Sequence, residues 1–196
     1  LLPLATRDAG IERFRREQAI LARLDHPHIA ALLDAGSAED GSLWLAMSLV
    51  DGQAIDLWCG RQRLEVRARI ALVLQVCEAV AYAHRSLVVH RDIKPSNVLV
   101  DANGHVRLLD FGIARLSEDT ADGDATVTRW RALSPAFAAP EQFAGGPATT
   151  AMDVFGLGAL LYALLCGRAP RSDSNPDTPI PPPSRRRTSN ELFPPG

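Results

Sequence analysis

The chain opens on a helical rhythm. Ile11, Phe14, Gln18, Leu21 and Leu24 recur at three- and four-residue spacing, with Arg13, Arg15, Arg16 and Arg23 largely on other faces. That pattern predicts an amphipathic helix over Ala9–Leu24. Asp25-His26-Pro27-His28 ends it, because the residue before Pro27 is pushed out of helical geometry. The two histidines are expected to cap and pack that turn. Ile29–Ala35 and Ser42–Val50 read as two strands flanking the turn-rich Gly36–Gly41. Asp51-Gly52 is a sharp break.

The rhythm then becomes helical again. Ile70, Val73, Leu74, Cys77, Val80, Ala81 and His84 form one long apolar stripe. A short apolar run, Leu87–Val89, leads into a polar loop. Val98–Val100 and His105–Leu109 read as a hairpin around the turn dipeptide Asn103-Gly104. Glu118–Asp124 is polar and acidic, which predicts a loop. Asp153–Cys166 is apolar on nearly every face, so a fully buried helix is expected, ended by Gly167 and Pro170. Beyond Pro170 the prolines leave little room for regular structure, and Arg185, Arg186 and Arg187 sit among them. Residues 171–196 therefore read as an extended linker or a truncated edge. No internal repeat is apparent.

Composition narrows the class. The chain has 196 residues, 46% hydrophobic and 22% charged, which is a globular rather than a disordered composition. A formal charge of −2 lacks the basic field that nucleic-acid binding needs. Cys59, Cys77 and Cys166 are odd in number and far apart, so they read as small buried apolar residues in a reducing compartment. The longest apolar stretch, Val154–Cys166, is too short to span a bilayer. No signal-peptide pattern opens the chain, and neither does a methionine, so a piece of a longer chain is expected.

Three motifs then appear in order: His90-Arg91-Asp92-Ile93-Lys94-Pro95-Ser96-Asn97 after a helix, Asp110-Phe111-Gly112 after the hairpin, and Ala139-Pro140-Glu141 after a polar loop. Each alone is a weak signal. Together, over roughly residues 1–170, they resemble the protein kinase family, whose catalytic loop and flanking elements carry these residues in this order.

The resemblance implies an α+β, two-lobed fold: an incomplete N-lobe over 1–50, a mainly helical C-lobe over 51–170, and the tail. It implies transfer of the ATP γ-phosphate with magnesium, a reaction that depends on positioning and charge neutralisation. Asp92 would accept the proton of the attacking hydroxyl and Lys94 would offset phosphate charge. Asn97 and Asp110 would supply the hard oxygen ligands that magnesium prefers. Lys94-Pro95 before Asn97 points to serine/threonine kinases, and the polar activation loop with an Ala-, Arg- and Leu-rich style points to bacterial ones.

Other positions follow from the same resemblance. Met47 would guard the back of the adenine pocket, Ser48 and Val50 would offer backbone groups to adenine, and Leu99 would floor it. Glu17 would pair with a phosphate-gripping Lys that, with the glycine-rich loop, is expected upstream of Leu1. His90 would stack under Phe111 as a packing residue, with Leu21 in the same stack. Arg91 would bind a phosphate on the activation loop, where Thr126 and Thr128 are the candidate acceptors. Ser134 would bond Asp92 and Lys94 and help seat the substrate. Asp153 would cap its helix and hold the backbone of the catalytic loop. Glu141 would pair with a later arginine, and none is evident after Pro170.

The implied partner is a protein bearing Ser or Thr, met in the cytoplasm. The 196-residue chain alone is expected to be inactive. A non-catalytic kinase-like scaffold is the alternative; the complete Asp92, Lys94, Asn97 and Asp110 set counts against it. A small-molecule phosphotransferase is a third reading, disfavoured by the peptide-seating look of Ser134–Glu141.

Overall fold

The computed structural model describes residues 18–38, 43–111, 134–171, 175 and 178–183. Two small antiparallel sheets and two long helices make an α+β architecture. Strands β1 (Leu32–Ser37) and β2 (Leu43–Met47) form a two-stranded ribbon, with Leu32 opposite Met47 and a register shift between Leu32 and Asp34. Strands β3 (Gly52–Ala54), β4 (Val98–Asp101) and β5 (Val106–Leu108) form the second sheet, in that order. Helix α1 (Ile55–Arg61) follows β3, and α2 (Val66–Arg85) follows α1. After β5 come the short α3 (Pro140–Phe143) and the long α4 (Thr150–Cys166). A parallel bridge between Ile29 and Leu108 stitches the segment before β1 onto the second sheet. Leu108 N donates to His28 O at 2.8 Å and Ala30 N donates to Leu108 O at 3.0 Å.

Both strands of the ribbon are shorter than the sequence predicts. Ser48 N donates to Ala31 O at 2.8 Å and Ala31 N donates to Ser48 Oγ at 3.0 Å, which closes the ribbon at its base and lets residues 48–50 leave it. Of the first helix, residues 18–21 are described as helical, and they end before Leu24. Bonds from Arg23 N to Ile20 O and from Leu24 N to Leu21 O tighten that last turn. His28 N donates to His26 Nδ1 at 3.2 Å, so the histidines do cap and pack the turn.

Helix α2 forms where the pattern places it, but its stripe is rotated. Leu72, Val73, Val76, Ala79, Val80 and Ala83 are buried, whereas Ile70 is 39% and Leu74 56% exposed. Alanine and valine surround more than half of this helix, so hydrophobicity alone does not choose the buried face. Packing of α2 against α4 chooses it.

Helix α4 begins at Thr150, earlier than predicted, with extended Thr149 as its N-cap residue. It is not buried all round: Val154 is 64% exposed. Gly167 ends it at φ +69°, a conformation that favours glycine. Just beyond, Arg171 is buried, donating from Nη1 to Ala138 O at 2.8 Å with its guanidinium over the Phe155 ring. Tyr162 Oη donates to Pro181 O at 2.9 Å. The three cysteines are free thiols; Cys59 is buried, as expected, while Cys77 and Cys166 are half-buried because they lie at the edges of their helices' packed faces. No helix among the described residues is long and apolar enough to cross a membrane.

Candidate active site

The site is assembled at one end of the β4–β5 hairpin. The Asn103-Gly104 turn closes the other end: Gly104 takes φ +81°, and Asp101 Oδ1 accepts from Asn103 N and His105 N, both at 2.9 Å. At the site end, Pro95 opens a single 3₁₀ turn, Pro95–Asn97, where its missing N–H costs nothing. Leu109 N donates to Asn97 O at 2.9 Å, so Asn97 and the following Asp110 are drawn to the same place.

The loop before that turn hangs on buried Asp153. The sequence suggests an N-cap for this residue. It lies instead inside the first turn of α4, because the helix starts at Thr150, and its carboxylate faces the loop. Oδ2 accepts from His90 N at 2.8 Å, and Oδ1 accepts from Arg91 N at 2.7 Å. The His84 ring meets Oδ2 at 2.7 Å. Gly156, one turn along, lets Ile93 settle on the helix: a Cβ there would stand 3.0 Å from the Ile93 Cβ.

His90 is fully buried, and burial pushes its imidazole pKa down. Its neighbours ask for the neutral ring. Nε2 faces Leu109 O at 2.7 Å and so carries the proton, while Nδ1 accepts from Asp92 N at 3.3 Å. Its ring packs on Phe111 with centroids 4.8 Å apart. This is the expected stack, and Leu21 lines a small cavity of about 20 Å³ together with Phe111, Asp110 and Met47. His90 thus wedges the loop against the hairpin and is not arranged to shuttle protons.

Four polar side chains converge above this support. Lys94 Nζ lies 2.7 Å from Asp92 Oδ2 and donates to Ser134 Oγ at 2.7 Å. Asn97 Nδ2 donates to Asp92 O at 2.9 Å and to Asp92 Oδ2 at 3.1 Å. One carboxylate is thereby held by a cation and an amide, with a hydroxyl on the far side of the cation. Residues 134–137, Lys94–Ser96 and the ends of α1 and α4 line a groove of about 850 Å³ beside this cluster.

The protein kinase domain family matches residues 4–181 of the chain. The chain belongs to the protein kinase family. It is 35% identical to the serine/threonine-protein kinase pkn3 of Myxococcus xanthus, an alignment spanning 97% of this chain and 38% of that protein. It is 37% identical to PrkC of Bacillus subtilis, over 82% of this chain and 24% of the relative, and 41% identical to PkaA of Streptomyces coelicolor, over 82% and 30%. Both of these are likewise serine/threonine-protein kinases by name. The chain therefore spans between about a quarter and two-fifths of these kinases' own length.

For the magnesium that kinases use, Asn97 and Asp110 would be the donors. Both hydrogens of the Asn97 amide are directed to Asp92, which leaves its oxygen to coordinate. The exposed Asp110 carboxylate stands at φ +47°, a backbone setting held by the Leu109 bonds on its N-terminal side. Magnesium takes one or two carboxylates and completes its shell with water and phosphate, so a single carboxylate beside an amide oxygen would be enough to hold it.

The nucleotide-side residues are less drawn together. Met47 ends β2 and reaches the cavity shared with Asp110 and Phe111. Ser48 and Val50 follow it half-buried, and Leu99 sits on the face of β4 opposite the buried Val98 and Val100. Arg91 and Glu141 are half-buried, and Glu141 has no ion pair among the described residues. Glu17, Gly112, Thr126 and Thr128 lie outside the described residues, as does Glu118–Asp124.

Two residues near the loop escaped the motif reading. His84 appears in the sequence only as the end of an apolar stripe; its spacing from His90 carries no signal. Gln142 directly follows Ala139-Pro140-Glu141, three residues after the N-cap Ala139, the position from which a Gln reaches back to the cap N–H.

Proposed function

We propose that these residues are the catalytic portion of a bacterial serine/threonine protein kinase, transferring the γ-phosphate of ATP to a Ser or Thr hydroxyl of a protein. The observation that carries this is the Asp92 carboxylate, held at Oδ2 by Lys94 and Asn97, with Lys94 also on Ser134. Asp92 takes the proton of the acceptor hydroxyl and orients its oxygen. Lys94 holds that carboxylate and would offset the charge of the phosphate to be moved. Asn97 and Asp110 hold magnesium, whose contribution is to neutralise phosphate charge. Met47, Ser48, Val50 and Leu99 take the adenine side, and Glu17 pairs with the lysine that grips the phosphates.

The groove beside Ser134 seats the peptide around its acceptor. Arg91 receives a phosphate on Thr126 or Thr128, which orders the activation loop by charge-assisted bonds. The reaction takes place in the cytoplasm, on protein and not on nucleic acid. Residues 1–50 serve as part of the ATP-side lobe, 51–170 as the catalytic lobe and 171–196 as its trailing edge.

Asp92→Asn in the complete natural protein tests the reading. The variant keeps the Asn97 and backbone contacts but cannot take a proton, so transfer from radiolabelled ATP falls about 10³-fold while thermal unfolding barely moves. Transfer within about ten-fold of wild type would overturn the assignment of the base.

A further inference from the structure

The catalytic loop is held in a shape that its own residues resist. Arg91 stands at φ +68°. The left-handed region is strained for a residue that bears a side chain, so it persists only where the surroundings enforce it. On the N-terminal side of Arg91 the enforcement is Asp153, which accepts from Arg91 N. On the C-terminal side it is Gln142. Its Nε2 donates to Arg91 O at 2.8 Å. Its Oε1 accepts from Ala139 N at 2.8 Å.

The carbonyl in question belongs to the peptide that joins Arg91 to Asp92. The same peptide carries Asp92 N–H, which donates to His90 Nδ1. One plane is thus gripped at both edges, by Gln142 on the oxygen and His90 on the nitrogen, immediately before the Asp92 side chain branches off.

The chemistry of the grip selects the residue type. One end must accept from an N–H and the other must donate to a C=O. A primary amide does both. A carboxylate of the same length has no proton to give, a lysine has nothing to accept with, and a methionine has no donor and only a weak sulfur acceptor. Which end of the amide is oxygen follows from its two partners.

We propose that Gln142 is a positioning residue for phosphoryl transfer: it locks the Arg91–Asp92 peptide plane and ties it to the segment that begins Ala139-Pro140-Glu141. The proposal rests on the reading of Asp92 as the base. It makes correct seating of α3 a condition for correct aim of the Asp92 carboxylate. Movement of the segment that carries Ser134 and α3 removes the donor from Arg91 O and frees the plane.

Gln142→Glu in the complete natural protein is the central test, because it keeps the bond to Ala139 N and abolishes only the donor facing Arg91 O. Transfer from ATP to a peptide copying residues 121–133 is expected to lose about ten-fold or more in kcat, with KM for ATP and peptide unchanged. Amide exchange at Arg91–Ile93, followed by mass spectrometry, is expected to quicken about five-fold. Gln142→Met, which loses both bonds, should lose at least as much kcat and also quicken exchange at Ala139.

Unchanged exchange at residues 91–93 in both variants overturns the grip. A loss of kcat accompanied by a raised KM and by loosening throughout the domain assigns Gln142 to folding alone and overturns the positioning role. Wild-type and Asp92→Asn proteins that transfer equally little defeat the kinase reading instead, and the exchange data then decide the grip by themselves.

Discussion

The two antiparallel sheets are built from similar sequences and hold their residues very differently. In the β4–β5 hairpin, Val98, Val100, Val106 and Leu108 are all fully buried. Its open end is cross-tied by the Leu109–Asn97 and His90–Leu109 bonds. In the β1–β2 ribbon Leu33 is 68% and Trp44 43% exposed, and Leu32, Ala35 and Leu45, which pack on the core, are only partly buried. The residues proposed for transfer, Asp92, Lys94, Asn97 and Asp110, hang on the β4–β5 hairpin. Of those proposed for the ATP side, Met47, Ser48 and Val50 hang on the β1–β2 ribbon. In that reading, chemistry that needs sub-ångström aim sits on the more deeply buried part, and the pocket wall that would admit and release a nucleotide sits on the more exposed part.

The sharpest way to break that contrast is to truncate one leucine in each sheet. Leu108→Ala empties a site with no exposure and is expected to cost about 3–5 kcal/mol, enough to lower the melting temperature by about ten degrees. Leu33→Ala is expected to change stability by less than about 0.5 kcal/mol. Thermal denaturation of both variants decides it; comparable losses would mean that the ribbon is as deeply embedded as the hairpin.

A second variant sharpens the contrast at the loop itself. Asp153→Asn offers one oxygen where two backbone N–H groups and a histidine now share a carboxylate, and it turns an amide N–H₂ toward a donor. Loss of charge-assisted bonds at a buried site costs about 2–3 kcal/mol. The melting temperature should fall by about 5–10 degrees, with transfer activity falling further than stability alone predicts. A variant with normal activity per folded molecule would show that the His90-Arg91 backbone does not need this anchor.

How far the sequence could carry the reading depended on whether a feature is local. The loop Asp92 to Asn97, the Asn103-Gly104 turn and the Lys94–Ser134 partnership were legible, because short motifs fix their own geometry and the family resemblance fixed their order. The buried face of α2 was not: Ile70 and Leu74 lie on its outer side, and only the position of α4 tells Val76 from Leu74. Asp153 is legible in the sequence as an anchor of the loop but not in its place within the helix, since the start of α4 depends on Thr149 adopting an extended backbone. Gln142 went unread because its significance lies in a contact with Arg91, 51 residues away. His84 did too, since nothing in its neighbourhood announces Asp153.

The smallest expected effect concerns protons. His90 fits its site only as the neutral ring, since a second ring N–H would confront Asp92 N–H. Burial lowers its pKa, and the charges of Asp153, Asp92 and Asp110 pull the other way without offsetting it. The unfolded ring takes its proton near the ordinary histidine value of about 6.5, while the folded one resists until a lower pH. Between those points the unfolded state binds more protons, so stability rises with pH and is lost as pH falls below about 6.5. His26, lowered by partial burial and by the neighbouring His28, adds in the same direction. Melting temperatures at pH 7.5 and 5.5 should therefore show a modest fall on acidification. His90→Phe keeps the packing on Phe111 and removes the titration, so its melting temperature should be lower at both values but vary less between them. The ribbon from Leu32 to Met47 contains no histidine, and the pH effect accordingly belongs to the hairpin side. An undiminished pH slope in His90→Phe would move the titrating group elsewhere and with it the claim that the transfer loop is wedged by a neutral imidazole.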